Sequence, residues 1–336
     1  MLIIHFCLIS EMIFFRTYKL KLNNKMEYII LIISLVGIVF GADFLVAGAV
    51  SIARKYKVSD FVIGAAIVGV GTSMPELVVS FIGALKGNAD VAIGNVVGSN
   101  IFNILGILGV TALFFPIAIN KDNMKFEIPL CIGISILLMI FAFNFFNGTP
   151  ACISRLDGVM LLIMFVGFMW YSFHRDKKNN TTIEEQTEEK TPIWLAIIKV
   201  LGGLAVLITS CDFFVDNAVL VAKSFGVSDA IISLTLIACG TSLPELAASV
   251  AAALKKNTQL ALGNIIGSNI FNITLILGVS SQVMPLTSAG ITYVDYIVMI
   301  AAAILTLLFG FKGKIGRLGG AFMFLCFIIY NIYLIN

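Results

Sequence analysis

Two glutamates, Glu76 and Glu245, each share a motif with a helix breaker, Gly71-Thr72-Ser73-Met74-Pro75-Glu76 and Gly240-Thr241-Ser242-Leu243-Pro244-Glu245, in the middle of long apolar runs. A carboxylate inside hydrocarbon costs at least about 2.5–3.5 kcal/mol, so each needs compensation. No lysine or arginine falls within either broken segment or the apolar run after it, and a bound cation answers the need better than an internal ion pair. The next runs add oxygens. Asn95, Ser99 and Asn103 recur at i, i+4 and i+8, as do Asn264, Ser268 and Asn272, which places each trio on one helix face. The candidate ligands are Glu76 and Glu245, the hydroxyls of Thr72, Ser73, Ser99, Thr241, Ser242 and Ser268, the amides of Asn103 and Asn272, and carbonyls freed where the prolines remove a donor and Gly71 and Gly240 permit an unwound turn. All are hard oxygen donors of the kind Ca²⁺ collects in flexible geometry. Two carboxylates balance one Ca²⁺, hydroxyls and carbonyls also suit Na⁺, and no histidine or thiolate is placed to draw zinc, copper or iron. Taken singly, a serine or threonine in a membrane helix is more often packing than ligand. The recurrence of the whole set is what favours ligation. Asp43 and Asp212 also fall in apolar runs, but no donor pattern surrounds them, and helix pairing and transport are equally open roles.

These groups need a membrane to explain them. The chain has 336 residues, 59% apolar and only 12% charged, against about 45–50% and about 25% in soluble domains. Its mean hydropathy is +1.02. A water-soluble domain is excluded, and the lipid bilayer is the expected surrounding. The net charge of +3 is scattered over loops, so there is no patch to neutralise nucleic-acid phosphates. The six cysteines lie mostly in apolar runs without C-x-x-C spacing and read as small core hydrophobes.

Apolar runs at 27–51, 58–86, 89–115, 126–147, 157–173, 193–218, 227–254, 258–284, 290–311 and 315–335 give ten spans in two groups of five. The second and seventh are broken at Pro75 and Pro244. Residues 71–109 align without a gap on 240–278 with 24 of 39 positions identical, GNVVGSNIFNI at 94–104 returning as GNIIGSNIFNI at 263–273. Gly94 with Gly98, and Gly263 with Gly267, make G-x-x-x-G pairs that let backbones approach. Because five is odd, the second copy enters the membrane from the opposite side. The expected fold is an all-α polytopic membrane protein of ten transmembrane helices in two inverted five-helix repeats, the layout of many secondary transporters. The first repeat covers 26–173 and the second 193–336, joined by a polar connector at 174–192. Residues 1–25 are expected to be an N-terminal extension, with translation starting at Met26.

Lysine and arginine accumulate in cytoplasmic loops. With the first repeat helix starting outside, fourteen basic residues fall in inside loops against three outside (Lys86, Arg155 and Lys223). The connector is then cytoplasmic and the protein is a multi-pass component of the cell membrane. The basic residues of 1–25 dissent from this count.

The paired GTS[ML]PE and GN[VI][VI]GSNIFNI blocks resemble the alpha repeats of the sodium/calcium exchangers, within the cation/Ca²⁺ antiporter superfamily. The resemblance covers residues 27–336 in layout. It implies Glu76 and Glu245 as central Ca²⁺ ligands with the carbonyls of Thr72 and Thr241. It also implies Na⁺ sites using Ser73, Ser99, Ser242 and Ser268, with Asn103 and Asn272 nearby and help from the carbonyls of Gly69 and Ala238. Asn272 stands where the K⁺-dependent branch carries aspartate, which argues against a K⁺ requirement. The connector is too short for the Ca²⁺-sensing region of large eukaryotic relatives, so no regulatory protein or domain is expected.

The resulting expectation is an antiporter, not an enzyme, that exchanges Na⁺ for Ca²⁺ by alternating access and needs no cofactor beyond the transported ions. The resemblance implies three Na⁺ for one Ca²⁺, hence electrogenic exchange, with the first and sixth helices sliding across a steadier core. Two adjacent carboxylates should also let mild acid compete with Ca²⁺. The rival readings are a K⁺-dependent or H⁺-coupled Ca²⁺ antiporter and, in a different class, a Ca²⁺-permeable channel. The motifs H-E-x-x-H and G-x-S-x-G are missing from the sequence, which disfavours an intramembrane enzyme.

Overall fold

A computed structural model describes residues 2–143, 152–179, 191–225, 240–287 and 290–335, with side chains described from Met26 onward except at 176–179 and 335. The helices are α1 (Leu2–Tyr56, with its apolar span at Met26–Tyr56), α2 (Asp60–Thr72), α3 (Met74–Leu85), α4 (Ala89–Phe114), α5 (Asn123–Phe143) and α6 (Arg155–Asn179). The second half contributes α7 (Ile193–Ser224), α8 (Leu243–Leu254), α9 (Thr258–Val283), α10 (Tyr293–Gly310) and α11 (Arg317–Ile335). Among the described residues eight of these are long and apolar enough to cross a membrane, and α2 with α3 forms a ninth span bent by 48°. The helix α8 belongs to the seventh repeat span, whose residues 226–239, with Ala238, lie outside the described ones, as do the side chains of 1–25 and most of the connector.

Burial sorts the helices into a centre and a rim. In α9 94% of the membrane span is buried and in α4 78%, against 17–39% for the other long spans. These two are the helices that carry the asparagine–serine stripes. Each starts in the same way. The Asn88 side chain accepts from Val91 N at 3.2 Å and that of Asn257 from Leu260 N at 3.1 Å, capping donors that a helix start leaves unpaired. The preceding turns carry Gly87 and Lys256 at left-handed φ of 75° and 60°, so the turn is shared even where the glycine is not.

α1 and α7 run antiparallel on one flank of this centre, with their backbones in contact. A Cβ on Gly41 would lie 2.6 Å from Leu207 N, and one on Gly203 would lie 2.5 Å from Leu45 N. Gly263 and Gly267 meet α2 as closely, at 2.2 Å from Phe61 O and 2.5 Å from Ala65 Cα. The expected close packing thus holds for the second G-x-x-x-G pair. Among the described residues the first is looser: Gly94 meets only the Ile291 side chain and Gly98 has no neighbour within 4 Å.

Two short ladders fasten opposite ends of the molecule. β1 (Ile117–Ala118) pairs antiparallel with β4 (Lys314–Ile315), and β2 (Cys152–Ile153) with β3 (Leu286–Thr287). Each joins a loop of one repeat to a loop of the other. The β1–β4 end also holds Gln259, whose side chain donates to Ala118 O at 2.6 Å. At the opposite end Asp90 accepts from Gly290 N at 3.0 Å. Three of the loops counted as inside, those around Ala118, Lys256 and Lys314, therefore share one end.

Candidate functional site

Each broken helix is interrupted at its serine. Ser73 (φ −83°, ψ 10°) separates α2 from α3, and Ser242 (φ −93°, ψ 8°) precedes α8. Proline follows two residues later, where an absent N–H costs nothing because the first turn of a helix has no partner for it. Sequence reasoning gave Gly71 and Gly240 the task of permitting an unwound turn. The structure gives them another, because neither has a positive φ. A Cβ on Gly71 would come to 3.0 Å from Leu204 Cδ2, and one on Gly240 to 3.0 Å from Val215 Cγ2. Both glycines leave room for α7.

Asparagines one helix away hold the breaks in place. Asn95 Nδ2 donates to Glu76 O at 3.1 Å and to Ser80 Oγ at 2.9 Å, while Asn264 Nδ2 donates to Glu245 O at 3.1 Å and to Ser249 Oγ at 2.8 Å. Their Oδ1 atoms accept from the opposite repeat, Asn264 from Thr72 Oγ1 at 3.2 Å and Asn95 from Thr241 Oγ1 at 3.5 Å. The first stripe residue is thus a brace.

The glutamates meet through exchanged serines. Ser73 Oγ donates to Glu245 Oε1 at 2.7 Å and Ser242 Oγ donates to Glu76 Oε1 at 2.8 Å. With that proton committed, Ser242 Oγ accepts from Ser99 Oγ, 3.1 Å away. Ser268 Oγ donates to Gly69 O at 3.3 Å, a carbonyl that Thr72 Oγ1 also approaches at 3.4 Å. Glu76, Glu245, Ser73, Ser242, Thr72 and Ser268 are all fully buried, and among the described residues neither glutamate has a cationic partner.

Among the sequence candidates four acceptor atoms stay without a donor: Glu76 Oε2, Glu245 Oε2, Asn103 Oδ1 and Asn272 Oδ1. Buried acceptors almost always find a partner, and two unpaired carboxylates in a dry interior are costly. Four oxygens from both repeats, two of them anionic, suit a hard cation. Three-residue clusters of His, Cys, Asp and Glu are missing among the described residues, which leaves two carboxylates among neutral oxygens.

Four widened π-type turns are found among the described residues; one, at Asn123–Glu127, lies away from the site. The other three occupy Gly64–Gly69, Phe102–Leu108 and Asn272–Ile276, the last two carrying Asn103 and Asn272. Such turns recur at functional sites because they rotate side chains off the regular helical face.

Eight of the ten sequence candidates are thus linked across the two repeats, Thr241 being the one only partly buried, while Asn103 and Asn272 bond to Asn269 and Asn100. Sequence reasoning passed over Asn100 and Asn269, each within 1% of full burial. Asn100 Nδ2 donates to Asn269 O at 3.2 Å and Asn269 Nδ2 to Asn100 O at 3.1 Å. Their identity at the repeat offset was the available signal. Asp43, left open above, is ion-paired: Lys255 Nζ lies 2.6 Å from its Oδ1 and donates to its carbonyl at 2.9 Å. Of the cysteines, Cys131 and Cys211 are buried, and Cys152 and Cys326 partly so, all four free.

Comparison with known proteins gives the same family on independent grounds. The family model for sodium/calcium exchanger proteins matches residues 26–174 and 195–336. A putative antiporter CaxA of Alkalimonas amylolytica is 40% identical over 319 residues, 92% of this chain and 98% of its own. The sodium/calcium exchanger MaX1 of Methanosarcina acetivorans is 32% identical over 343 residues, with the same two coverages. A solved structure of the sodium-calcium exchanger NCX_Mj superimposes with a TM-score of 0.79 at 32% identity, covering 92% of this chain and 98% of that one. Two matched repeats, relatives aligned nearly end to end and a common fold leave one conclusion: the chain belongs to the sodium/calcium exchanger family of membrane transporters.

Proposed function

We propose that this protein exchanges Na⁺ for Ca²⁺ across the cell membrane through one central site. In this reading Glu76 and Glu245 are the shared carboxylates, and the oxygens of Thr72, Thr241, Ser73, Ser242, Ser99, Ser268, Asn103 and Asn272 complete the shells of whichever ion is bound. The observation that carries the proposal is the pair of cross-repeat bonds, Ser73 to Glu245 and Ser242 to Glu76, beside four donorless buried oxygens. Removing a cation from that set leaves two carboxylates facing each other in low dielectric, so release of Ca²⁺ is coupled to entry of Na⁺. Alternating access follows from the inverted repeat, with α1 and α7 moving as a pair over the centre. The basic end, with the β1–β4 ladder, is cytoplasmic by the charge rule. Exchange is independent of K⁺, since Asn272 is neutral.

The test is ⁴⁵Ca²⁺ uptake by proteoliposomes loaded in turn with Na⁺, K⁺ or H⁺. Uptake is expected only with internal Na⁺, and Glu76→Gln or Glu245→Gln should each lower it at least about tenfold, the effect of roughly 1.4 kcal/mol. Uptake that survives both substitutions removes the site. Uptake driven equally by K⁺ or H⁺ replaces the coupling ion, and flux without any counter-ion replaces the antiporter with a channel.

A further inference from the structure

The two SNIFN segments form a second pseudo-symmetric arrangement. Asn100 and Asn269 spend their Nδ2 groups on each other's backbone carbonyls, at 3.2 and 3.1 Å. A carbonyl can only accept, so these bonds fix which way both amides are turned. Their Oδ1 atoms then face the neighbouring asparagines crosswise: Asn103 Nδ2 donates to Asn269 Oδ1 at 3.0 Å and Asn272 Nδ2 donates to Asn100 Oδ1 at 3.0 Å. All four side chains are buried to within 1%. With its Nδ2 committed, each of Asn103 and Asn272 has Oδ1 on its other side, and those are the two amide oxygens without a donor. Both lie one helical turn beyond Ser99 and Ser268, on the same face.

We propose that Asn100 and Asn269 are positioning residues that fix the amide polarity of Asn272 and Asn103, so that the cation site is offered carbonyl oxygen and never NH₂. The inference rests on the cation-site reading above. An asparagine left to itself presents either end of its amide, because the two are nearly equal in shape. A cation accepts only one of them. The relay runs from backbone carbonyl to asparagine to asparagine to ion, with every donor pointing away from the ion. It also works against a carboxylate at 103, where an oxygen would be set against Asn269 Oδ1 with no proton between them.

The test is a double-mutant cycle on Asn103 and Asn269 in the full-length protein. It is read as Ca²⁺- and Na⁺-dependent thermal stabilisation in detergent and as ⁴⁵Ca²⁺ uptake into Na⁺-loaded liposomes. Asn269→Ala frees the Asn103 amide to turn and should weaken apparent Ca²⁺ affinity about tenfold. Asn103→Asp alone opposes two acceptors and should also weaken it. Together they should recover, since both oxygens of an aspartate are acceptors and none now faces an Oδ1. Recovery to within about threefold of the unaltered protein is expected. Effects that add, making the double variant worse than either single one, would mean that Asn269 only packs and would overturn the proposal. Unchanged ion affinity in a folded Asn269→Ala protein would do the same. If Asn269→Ala does not fold, the mirror cycle of Asn100→Ala with Asn272→Asp makes the same demand. Failure of the exchanger reading is separate: the unaltered protein would show neither ion-dependent stabilisation nor Na⁺-driven uptake, and both readings would go.

Discussion

Glu76 and Glu245 each keep one oxygen on a serine of the opposite repeat while the other has no donor. In the proposed exchange a proton and a metal ion therefore compete for the same atom. Lowering pH should raise the Ca²⁺ concentration needed for half-maximal uptake without lowering the maximum, because excess Ca²⁺ displaces the proton. Measured from neutral pH down to about pH 5, flat Ca²⁺ dependence would rule out this competition. The residues at stake were legible because a carboxylate without a cationic neighbour has few structural excuses in an apolar run, and because the run occurs twice. Asn100 and Asn269 were not, since periodicity describes one helix and their partners lie across the repeat boundary. The bracing role of Asn95 and Asn264 was hidden for the same reason: a stripe says which face a side chain shares, not what it meets there.

At the level of elements, the spans themselves were plain from hydropathy, whereas their irregularities were not. The break in the second span is a single residue at Ser73 with a 48° bend, and the π-type turns leave no mark in composition. Glycine was the most misleading residue type. Gly71 and Gly240 relieve contact with α7 instead of unwinding the chain. Gly202 and Gly203 make that distinction testable. A Cβ at 203 meets Leu45 N at 2.5 Å, and at 202 it meets nothing within 4 Å. Gly203→Val should lower stability by about 1–3 kcal/mol, the cost of overpacking, and slow uptake by spreading α1 from α7. Gly202→Val should do neither. Thermal midpoints and initial uptake rates compare the two, and equal effects would show that the α1–α7 contact is not tight.

For the whole molecule, duplication was the most informative property of the sequence, since an odd number of helices per copy dictates inversion before any coordinates exist. What it could not reveal is which parts hold still. α4 and α9 are enclosed, while α1 and α7 lie on a flank and pack on each other. Lys255 reaches across to Asp43, tying α1 to the end of α8. If three Na⁺ leave for each Ca²⁺ that enters, Na⁺-loaded vesicles export one positive charge per turnover. An inside-positive potential should then speed Ca²⁺ uptake, with about 2.3 kcal/mol available per 100 mV. Uptake rates with valinomycin and an inward K⁺ gradient give the answer, and indifference to voltage would mean electroneutral exchange.

The two short ladders, β1 with β4 and β2 with β3, clasp one repeat to the other at each end of the bundle. Like hoops at the top and bottom of a cask, they hold the staves together at both rims. Their amide protons should consequently resist deuterium equally in Na⁺ and in Ca²⁺, while exchange along the flank rises and falls with the ion supplied.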